Sequence, residues 1–410
     1  MKVKEFATIV GGSTPSSRCD EYYGGDIVWV TPKDLSDQGE KYIFSSERYI
    51  TQNGYNSCST TLLPIGSIIM SSRAPIGLLA ITSVPCCTNQ GCKSFNIDNE
   101  QCDSEYLYYY LKLHIKEIEN LGSGTTFKEV SKESIEDFDI ELPDINAQRK
   151  IVSIIKNLDS KISTNNTISS TLESLAKLIY DYWFVQFDFP DENGKPYKSS
   201  GGKMVWNEEL KREIPKGWKV VNVDQLCSIT SGYPFDSKSY VDDGEYQVLT
   251  IKNIQDGYII NTTDSKISSV PYGFPECDIL NIGDILMSLT GNVGRIGILC
   301  AEKFLLNQRA SVINSKDSNN KWYLYFLFRN KVFFNKIQRI ATGTSQKNVS
   351  PIDIGNIRIL HSAKIAKLFT NKVKDLVERL ILCNIENQYL ASLRDFLLPM
   401  LMNGQVTIKD

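Results

Sequence analysis

Histidine is nearly absent from this 410-residue sequence, which contains only His114 and His361. So few imidazoles disfavour a clustered metal centre as well as Ser-His-Asp and Cys-His catalysis. The sequence also lacks the G-x-x-x-x-G-K-[ST] loop of ATP-binding proteins, the Asn-Pro-Pro-aromatic motif of amino-methyltransferases, and a glycine-rich loop that would hold S-adenosylmethionine. We therefore expect no catalytic residues, no metal site and no cofactor bound by this chain.

Long apolar runs are absent too. No stretch reaches the roughly 18 residues that a membrane span requires, and the first residues, MKVKEFATIVGG, lack the apolar stretch of a signal peptide. The ten cysteines include no C-x-x-C pair, which favours reduced thiols that are buried as small apolar groups. These features predict a cytoplasmic protein that does not interact with membranes.

An excess of positive charge is absent. The formal net charge is -3. Counting Lys and Arg against Asp and Glu, residues 1–143 carry -8 and residues 218–361 carry +2. Because phosphate contacts supply most of the affinity of a nucleic-acid binder, this chain alone is expected to bind DNA weakly.

The most informative feature is an internal repeat with an offset of 217 to 219 residues. Four pairs of segments match at this offset: LLPIGSIIMSSRAPIGLLAI (62–81) with LNIGDILMSLTGNVGRIGIL (280–299), Asn89-Gln90 with Asn307-Gln308, YLYYYLK (106–112) with YLYFLFR (323–329), and GTTFK (124–128) with GTSQK (343–347). So constant a spacing indicates that the two halves have the same architecture.

Within each half the apolar pattern changes from strand-like to helical. About 140 residues with short β-like runs and an aromatic helix, at 104–120 or 320–340, precede a long heptad pattern. Because a long amphipathic helix needs a cover for its apolar stripe, we expect the two helices to pair as an antiparallel coiled coil. The predicted seam includes Ile155, Leu158, Ile162 and Leu172 in the first half and Leu376, Leu380 and Leu390 in the second.

The repeat predicts an α/β (α+β) protein with two tandem α/β domains, separated by two long helices and related by a pseudo-twofold. The predicted segments are domain 1 at 1–143, the first spacer helix at 144–186, a polar linker at 187–217, domain 2 at 218–361, the second spacer helix at 362–403 and a tail at 404–410.

The sequence resembles the specificity subunits of type I restriction-modification enzymes over essentially its whole length. The resemblance is carried by LPDINAQRKIVSIIKNLDSKI, TLESLAKLIYDYWFVQFDFP, EIPKGW and LRDFLLPMLMNGQV. It implies two target-recognition domains that each read half of a split, asymmetric sequence in double-stranded DNA. It also implies that the spacer helices bind two methylation subunits and then restriction subunits, and that S-adenosylmethionine, ATP and Mg²⁺ are bound by those partners.

The two helix starts depart from the repeat. Leu142-Pro143 and Gln148-Arg149 in the first half align with Leu360-His361 and Ala366-Lys367 in the second. We therefore expect the contacts with the two methylation subunits to be unequal.

Repeated polar loops supply the candidate DNA contacts. Small residues with backbone N–H groups and a lysine suit phosphate, a loop arginine suits guanine, and Asn-Gln pairs suit adenine. Ordinary turns and solvated charges would produce the same patterns, and for the Asn-Gln pairs a turn is the slightly favoured interpretation. The candidates are Arg73, Asn89, Gln90, Gly124, Thr125, Thr126, Lys128, Arg295, Gln308, Arg309, Gly343, Thr344, Ser345, Gln346 and Lys347.

Three other interpretations stay open from the sequence. The chain could serve a fused restriction-methylation subunit, with an identical domain plan. It could be a duplicated coiled-coil scaffold unrelated to DNA, which would fit the acidic first half. It could also be a nuclease or methyltransferase without recognisable motifs, which the missing catalytic residues disfavour.

Overall fold

The computed structural model of the chain describes residues 1–39, 41–123, 128–343 and 346–406. The chain divides into two compact units. Unit 1 consists of Met1–Ser160 with Leu390–Asp410, and unit 2 consists of Lys161–Tyr389. Each unit therefore contains one predicted domain together with a part of both long helices.

The first half of the chain forms an α/β domain. Its strands are Ala7–Gly11 (β1), Tyr23–Val30 (β2), Tyr42–Ile43 (β3), Tyr49–Ile50 (β4), Ile68–Ser72 (β5), Ile76–Thr82 (β6), Cys86–Thr88 (β7) and Cys92–Ile97 (β8). Its helices are Pro32–Gln38 (α1), Gln52–Asn56 (α2), Ser104–Leu113 (α3), Ile115–Asn120 (α4), Lys132–Glu136 (α5) and the long Ile145–Tyr180 (α6), which a π-helical turn extends over Asp181–Val185. The strands form one sheet in the order β1-β8-β5-β6-β3 and a second in the order β4-β2-β7.

The second half repeats this plan with additions. Its strands are Met204–Asn207 (β9), Arg212–Pro215 (β10), Lys219–Asn222 (β11), Cys227–Ser231 (β12), Tyr246–Leu249 (β13), Gly257–Tyr258 (β14), Lys266–Ile267 (β15), Ile279–Leu280 (β16), Ile285–Ser288 (β17), Ile296–Ile298 (β18), Phe304–Leu306 (β19), Ala310–Ser315 (β20) and Arg358–His361 (β21). Its helices are Lys321–Arg329 (α7), Lys331–Ile340 (α8), Pro351–Gly355 (α9) and the long Ala363–Met402 (α10).

The main sheets of the two halves have the same topology. The order β12-β20-β17-β18-β14 in unit 2 reproduces β1-β8-β5-β6-β3 in unit 1. The register repeats as well, since Met70 pairs with Lys93 and Met287 pairs with Ser311. The predicted fold class, two tandem α/β domains with long helices, is confirmed.

Aromatic helices cover one face of each main sheet. In unit 1 the side chains of Tyr106 and Tyr109 on α3 are fully buried together with Phe95 of β8. The Asp103 carboxylate caps α3 by accepting hydrogen bonds from the N–H groups of Glu105 and Tyr106, at 3.0 and 3.1 Å. Burial of these large rings supplies much of the apolar area that stabilises the domain.

The two long helices are antiparallel where they meet within each unit. In unit 2 the Asn165 side chain donates hydrogen bonds to Glu386 Oε2 at 2.7 Å and to Asn387 Oδ1 at 3.0 Å. Further along α6, Tyr180 stacks edge-on against Phe369, with ring centroids 5.7 Å apart. Rising residue numbers on α6 thus face falling numbers on α10. In unit 1, Asp159 pairs with Arg394 while Ile151 lines one cavity with Leu401 and Met402, which gives the same direction.

The predicted seam residues all lie away from the exposed surface. Ile155 is fully buried, and the others are half-buried: Leu158, Ile162, Leu172, Leu376, Leu380 and Leu390. In α10 the buried set also includes Val377 and Ile381, because that helix packs against the aromatic core of unit 2. A seam with two apolar positions per heptad therefore accounts for only part of the buried face of α10.

The predicted polar linker is a folded segment. Phe187 and Phe189 are buried and both contact the ring of Trp218, edge-on at 5.5 Å and tilted at 5.4 Å between ring centroids. The strands β9 and β10 form an antiparallel hairpin within the segment. The segment was predicted to be a linker because most of its residues are polar. Its aromatic side chains are few, but they are large enough to form a small core.

In the part of the chain that the structure describes, no helix has the length and apolar character needed to cross a membrane.

Candidate nucleic-acid interface

Three turns of unit 1 lie side by side and form what we call the first edge (residues 72–75, 89–91 and 128–130). The Ser72 N–H donates to the carbonyl oxygen of Gly91 at 2.8 Å, and the Val130 N–H donates to the carbonyl oxygen of Ser72 at 3.0 Å. Ser72 ends β5, so the sheet itself positions all three turns. The fold thereby brings together Arg73, the Asn89-Gln90 pair and Lys128, which are separated in the sequence.

Asn89 and Gln90 have different roles in their turn. Asn89 Oδ1 accepts a hydrogen bond from the Gly91 N–H at 2.9 Å, which holds the turn in shape. Gln90 is exposed, and its Oε1 accepts a hydrogen bond from Thr14. Gly12 must be glycine here, since a Cβ would lie 2.2 Å from the carbonyl oxygen of Asn89. Asn89 therefore holds the turn, and Gln90 is the exposed member of the pair.

Arg73 belongs to a charged cluster around Glu129. The Arg73 guanidinium lies 3.7 Å from Glu129 Oε2, and Lys93 Nζ lies 3.3 Å from Glu129 Oε1. Ser72 Oγ also donates to Glu129 Oε1 at 3.3 Å. One carboxylate thus faces two cations beside the turns of the first edge.

Lys128 is exposed. Its neighbour Glu129 exchanges two backbone hydrogen bonds of 3.0 Å each with Ser123. The predicted contacts Gly124, Thr125 and Thr126 lie outside the described residues.

Unit 2 builds the same arrangement, which we call the second edge (residues 289–292, 307–309 and 346–349). The Leu289 N–H donates to the carbonyl oxygen of Arg309 at 3.1 Å, and the Val349 N–H donates to the carbonyl oxygen of Leu289 at 3.0 Å. Thr342 and Asn348 exchange backbone hydrogen bonds of 2.8 and 2.7 Å, as Ser123 and Glu129 do in unit 1. The backbone hydrogen bonds of the first edge are therefore repeated in the second edge.

The second edge exposes several of the predicted polar residues. Asn307 Oδ1 accepts from the Arg309 N–H at 3.1 Å, so Asn307 holds its turn as Asn89 does. Of the residues predicted to contact DNA, those exposed at this edge are Gln308, Arg309, Gln346 and Lys347.

Gly343 and Lys347 flank the loop that belongs to the second edge. Gly343 has φ +108°, and a Cβ there would meet the carbonyl oxygen of Gln346 at 2.3 Å, so the turn requires glycine. Lys347 Nζ donates to Gln338 Oε1 at 3.3 Å. Thr344 and Ser345 lie outside the described residues.

Arg295 is not the counterpart of Arg73. It precedes β18, is half-buried, and donates to Gln255 Oε1 at 2.6 Å. Ser72 and Leu289 make equivalent backbone hydrogen bonds in the two units, so the residue that corresponds to Arg73 is the one after Leu289, Thr290. The Thr290 hydroxyl donates to Asn348 Oδ1 at 2.9 Å. The structure thus places Arg295 beside the second edge with its guanidinium already engaged.

Sequence reasoning missed five polar residues that lie at or beside the two edges: Thr14, Lys93, Glu129, Thr290 and Asn348. Lys93 sits within a strand, and Thr14 is distant in sequence from Gln90. The one available signal was position in the repeat, because Glu129 and Asn348 each follow a Gly-Thr loop. Among described residues no group of three or more His, Cys, Asp or Glu side chains could hold a metal ion.

Comparison with known proteins gives one consistent family. A family profile described as "Type I restriction modification DNA specificity domain" matches residues 1–174 and 215–360. The type I restriction enzyme MjaIX specificity subunit of Methanocaldococcus jannaschii is 30% identical, and the alignment covers 100% of this chain and 93% of that protein. The HindI specificity subunit of Haemophilus influenzae is 24% identical over 72% of this chain and 74% of its own length.

A solved structure has the same fold. The S subunit of a type I restriction-modification system from M. genitalium matches with a TM-score of 0.60 at 15% identity, covering 98% of this chain and 95% of that one. At this identity the likeness concerns the fold.

Proposed function

The chain belongs to the family of type I restriction-modification DNA specificity subunits, and from this we propose that it reads a bipartite, asymmetric sequence in double-stranded DNA, with each edge contacting one half. The observation that carries this proposal is the repeated edge, in which the same backbone ladder presents different side chains. A shared backbone gives both halves the same approach to a duplex, while different side chains read different bases. In keeping with the family, this chain supplies DNA specificity rather than catalysis.

Two exposed apolar pairs support docking of two methylation subunits. Leu175 and Leu178 on α6 are 44% and 63% exposed in unit 2, and Leu393 and Phe396 on α10 are 44% and 64% exposed in unit 1. The two pairs are 218 residues apart, the same offset as the repeat. Each unit therefore presents one equivalent apolar surface on a long helix, which is what two copies of one partner require.

The remaining activities belong to partner subunits in this proposal. S-adenosylmethionine is bound by the methylation subunits, and ATP and Mg²⁺ by restriction subunits that join the complex later. The assembly acts in the cytoplasm, where the DNA is.

The reading function is tested by replacing residues 218–361 with the equivalent segment of another family member. The chimaera is co-expressed with the cognate methylation subunit, and methylated sites are mapped by methylation-sensitive sequencing. We expect one half of the methylated sequence to change and the other half to stay. A change in both halves, or methylation without sequence preference, would contradict the division into two readers.

Docking is tested with the paired variants Leu175→Asp/Leu178→Asp and Leu393→Asp/Phe396→Asp. A charge in a buried apolar contact is strongly unfavourable, so each double variant should lose one methylation subunit in native mass spectrometry. The exposed Lys374→Asp change on α10 is the matched control and should leave both subunits bound. Retention of two subunits by both double variants would place docking elsewhere.

A further inference from the structure

The charged cluster of the first edge has a neutral counterpart in the second edge. In the backbone of the repeat, Arg73 corresponds to Thr290 and Glu129 corresponds to Asn348. The side chains of each pair are in contact. The third member, Lys93, pairs with Met70 in the sheet, as Ser311 pairs with Met287. All three charged residues of this cluster therefore have neutral counterparts in unit 2.

The geometry gives the two cations that face Glu129 different roles. The Lys93 side chain is 16% exposed and lies 3.3 Å from Glu129, so it is a fixed partner of the carboxylate. The Arg73 side chain is 40% exposed and lies 3.7 Å from Glu129, on a turn between two strands. If Arg73 leaves, Lys93 and the hydroxyl of Ser72 still stabilise the Glu129 carboxylate.

The exposed cations of the second edge have no such restraint. Among described residues, Arg309 and Lys347 form no ion pair, and the hydrogen bond of the Lys347 ammonium goes to the neutral Gln338. Phosphate can therefore bind these cations without displacing a carboxylate, whereas at Arg73 it must displace Glu129.

We infer that Glu129 is a specificity-determining residue that restrains Arg73, so that the first edge releases this arginine to a DNA phosphate only when the duplex is well placed. The inference rests on the proposed role of the edges as the DNA interface. A weak, exposed ion pair is easily exchanged, because its Coulomb energy is small in water. The restraint lowers binding to random DNA more than binding to the target, where the remaining contacts fix the phosphate position.

The test uses the full chain in complex with its methylation subunits, titrated with random-sequence and target duplexes over a salt series. Glu129→Gln keeps an acceptor for Ser72 and Lys93 but removes the charge that holds Arg73. We expect affinity for random DNA to rise about threefold to tenfold, with the salt dependence steeper by roughly one released counterion. Target affinity should rise less, so discrimination falls.

A second substitution identifies the group responsible. In the Arg73→Gln/Glu129→Gln double variant the gain should disappear, because no arginine is left to release. The reciprocal change Asn348→Asp, which still accepts the Thr290 hydroxyl, should lower affinity for random DNA. Thermal unfolding of each variant checks that the edges remain folded.

The outcomes separate this inference from the proposed function. A gain that persists without Arg73, or no gain in Glu129→Gln, overturns the restraint if Arg309→Gln still weakens binding. If Arg309→Gln also has no effect, the edges do not contact DNA and both statements fail. A gain that appears for some sequences and not for others assigns Arg73 to a base edge instead of a phosphate and overturns the phosphate assignment.

Discussion

The two units share a backbone plan but attach their domains to the long helices by different chemistry. Unit 1 uses charges: Glu105 accepts hydrogen bonds from Lys41 and Lys156, each at 2.8 Å. Asp159 on α6 accepts from Tyr109 and pairs with Arg394 of α10 at 3.0 Å. These contacts connect the aromatic helix α3 to both long helices within the unit.

Unit 2 uses aromatic rings at the corresponding place. Its junction is a cluster of stacked and edge-on rings formed by Tyr180, Phe184, Tyr323, Phe326 and Phe369. One ionic group joins it, since Glu173 of α6 pairs with Arg329 and accepts from Tyr325 at 3.0 Å.

The difference shows what the repeat constrains. The backbone hydrogen bonds and the turns recur with almost constant offsets, whereas the polar side chains on them differ between the units. The same separation holds at the edges, where Arg73 and Glu129 in unit 1 correspond to Thr290 and Asn348 in unit 2. A duplicated scaffold can therefore change its reading surface and its internal anchoring independently, as long as the ladder is kept.

The aromatic junction should be the more sensitive of the two to truncation. Phe369 is fully buried, and Phe369→Ala should destabilise unit 2 by about 3–5 kcal/mol. Ile151 occupies the equivalent position in unit 1, and Ile151→Ala should cost about 2 kcal/mol. Urea unfolding gives the free energies, and hydrogen exchange in α7 and α3 assigns each loss to its unit. Equal costs would remove the distinction between the junctions.

Acid should destabilise the two units in different pH windows. In unit 2, burial lowers the pKa of His361 to about 4. The unfolded chain, with a histidine pKa of about 6.5, binds the proton first, so stability is full above pH 6.5 and falls as the pH drops to 4. Pro143 stands at the aligned place in unit 1 and has no such group.

Unit 1 should lose stability over a lower pH range than unit 2. Burial would raise the pKa of Glu105, but hydrogen bonds from Lys156, Lys41 and Tyr42 outweigh it and lower the pKa to about 2. This carboxylate therefore contributes full stability above about pH 4.3 and loses it as the pH falls to 2. Each window is worth at most about 3 kcal/mol.

Two variants separate these windows. His361→Phe should remove the loss between pH 6.5 and 4 from unit 2, and Glu105→Gln should remove the loss between pH 4.3 and 2 from unit 1. Hydrogen exchange or circular dichroism during acid unfolding follows both. A loss in unit 2 that His361→Phe leaves unchanged would assign the titration to another group.

The sequence alone could predict the features that depend on local pattern. The repeat offset, the turns around Arg73 and Asn89, and the two long helices follow from glycine positions and apolar periodicity. The side-chain partners could not be predicted, because Glu129 meets Lys93 and Glu173 meets Arg329 only after the chain has folded. The buried linker aromatics were missed for a related reason, since average composition hides a few large side chains.

The smallest expected change in stability concerns a polar residue between the two long helices, Asn165. Its substitution tests what fixes the alignment of α6 with α10. Asn165 is fully buried, and its Oδ1 has no hydrogen-bond partner among the described residues, while its amide donates to Glu386 and Asn387. Burying an unsatisfied acceptor costs free energy, yet one polar residue in a helical seam can fix the register of the pair. Unit 1 has the Asp159–Arg394 ion pair instead.

Asn165→Leu should therefore change the free energy of unfolding by no more than about 1 kcal/mol, in either direction, because it removes the unsatisfied oxygen together with two hydrogen bonds. Its main effect should be a second population in the hydrogen exchange of α6 and α10, as more than one register becomes accessible. Asn166→Ala removes a hydrogen bond to the same Asn387 from the exposed side and is the control with a single population. A single population in Asn165→Leu would mean that ring packing around Phe369 already fixes the register, so the aromatic junction of unit 2 would align the helices as well as anchor the domain.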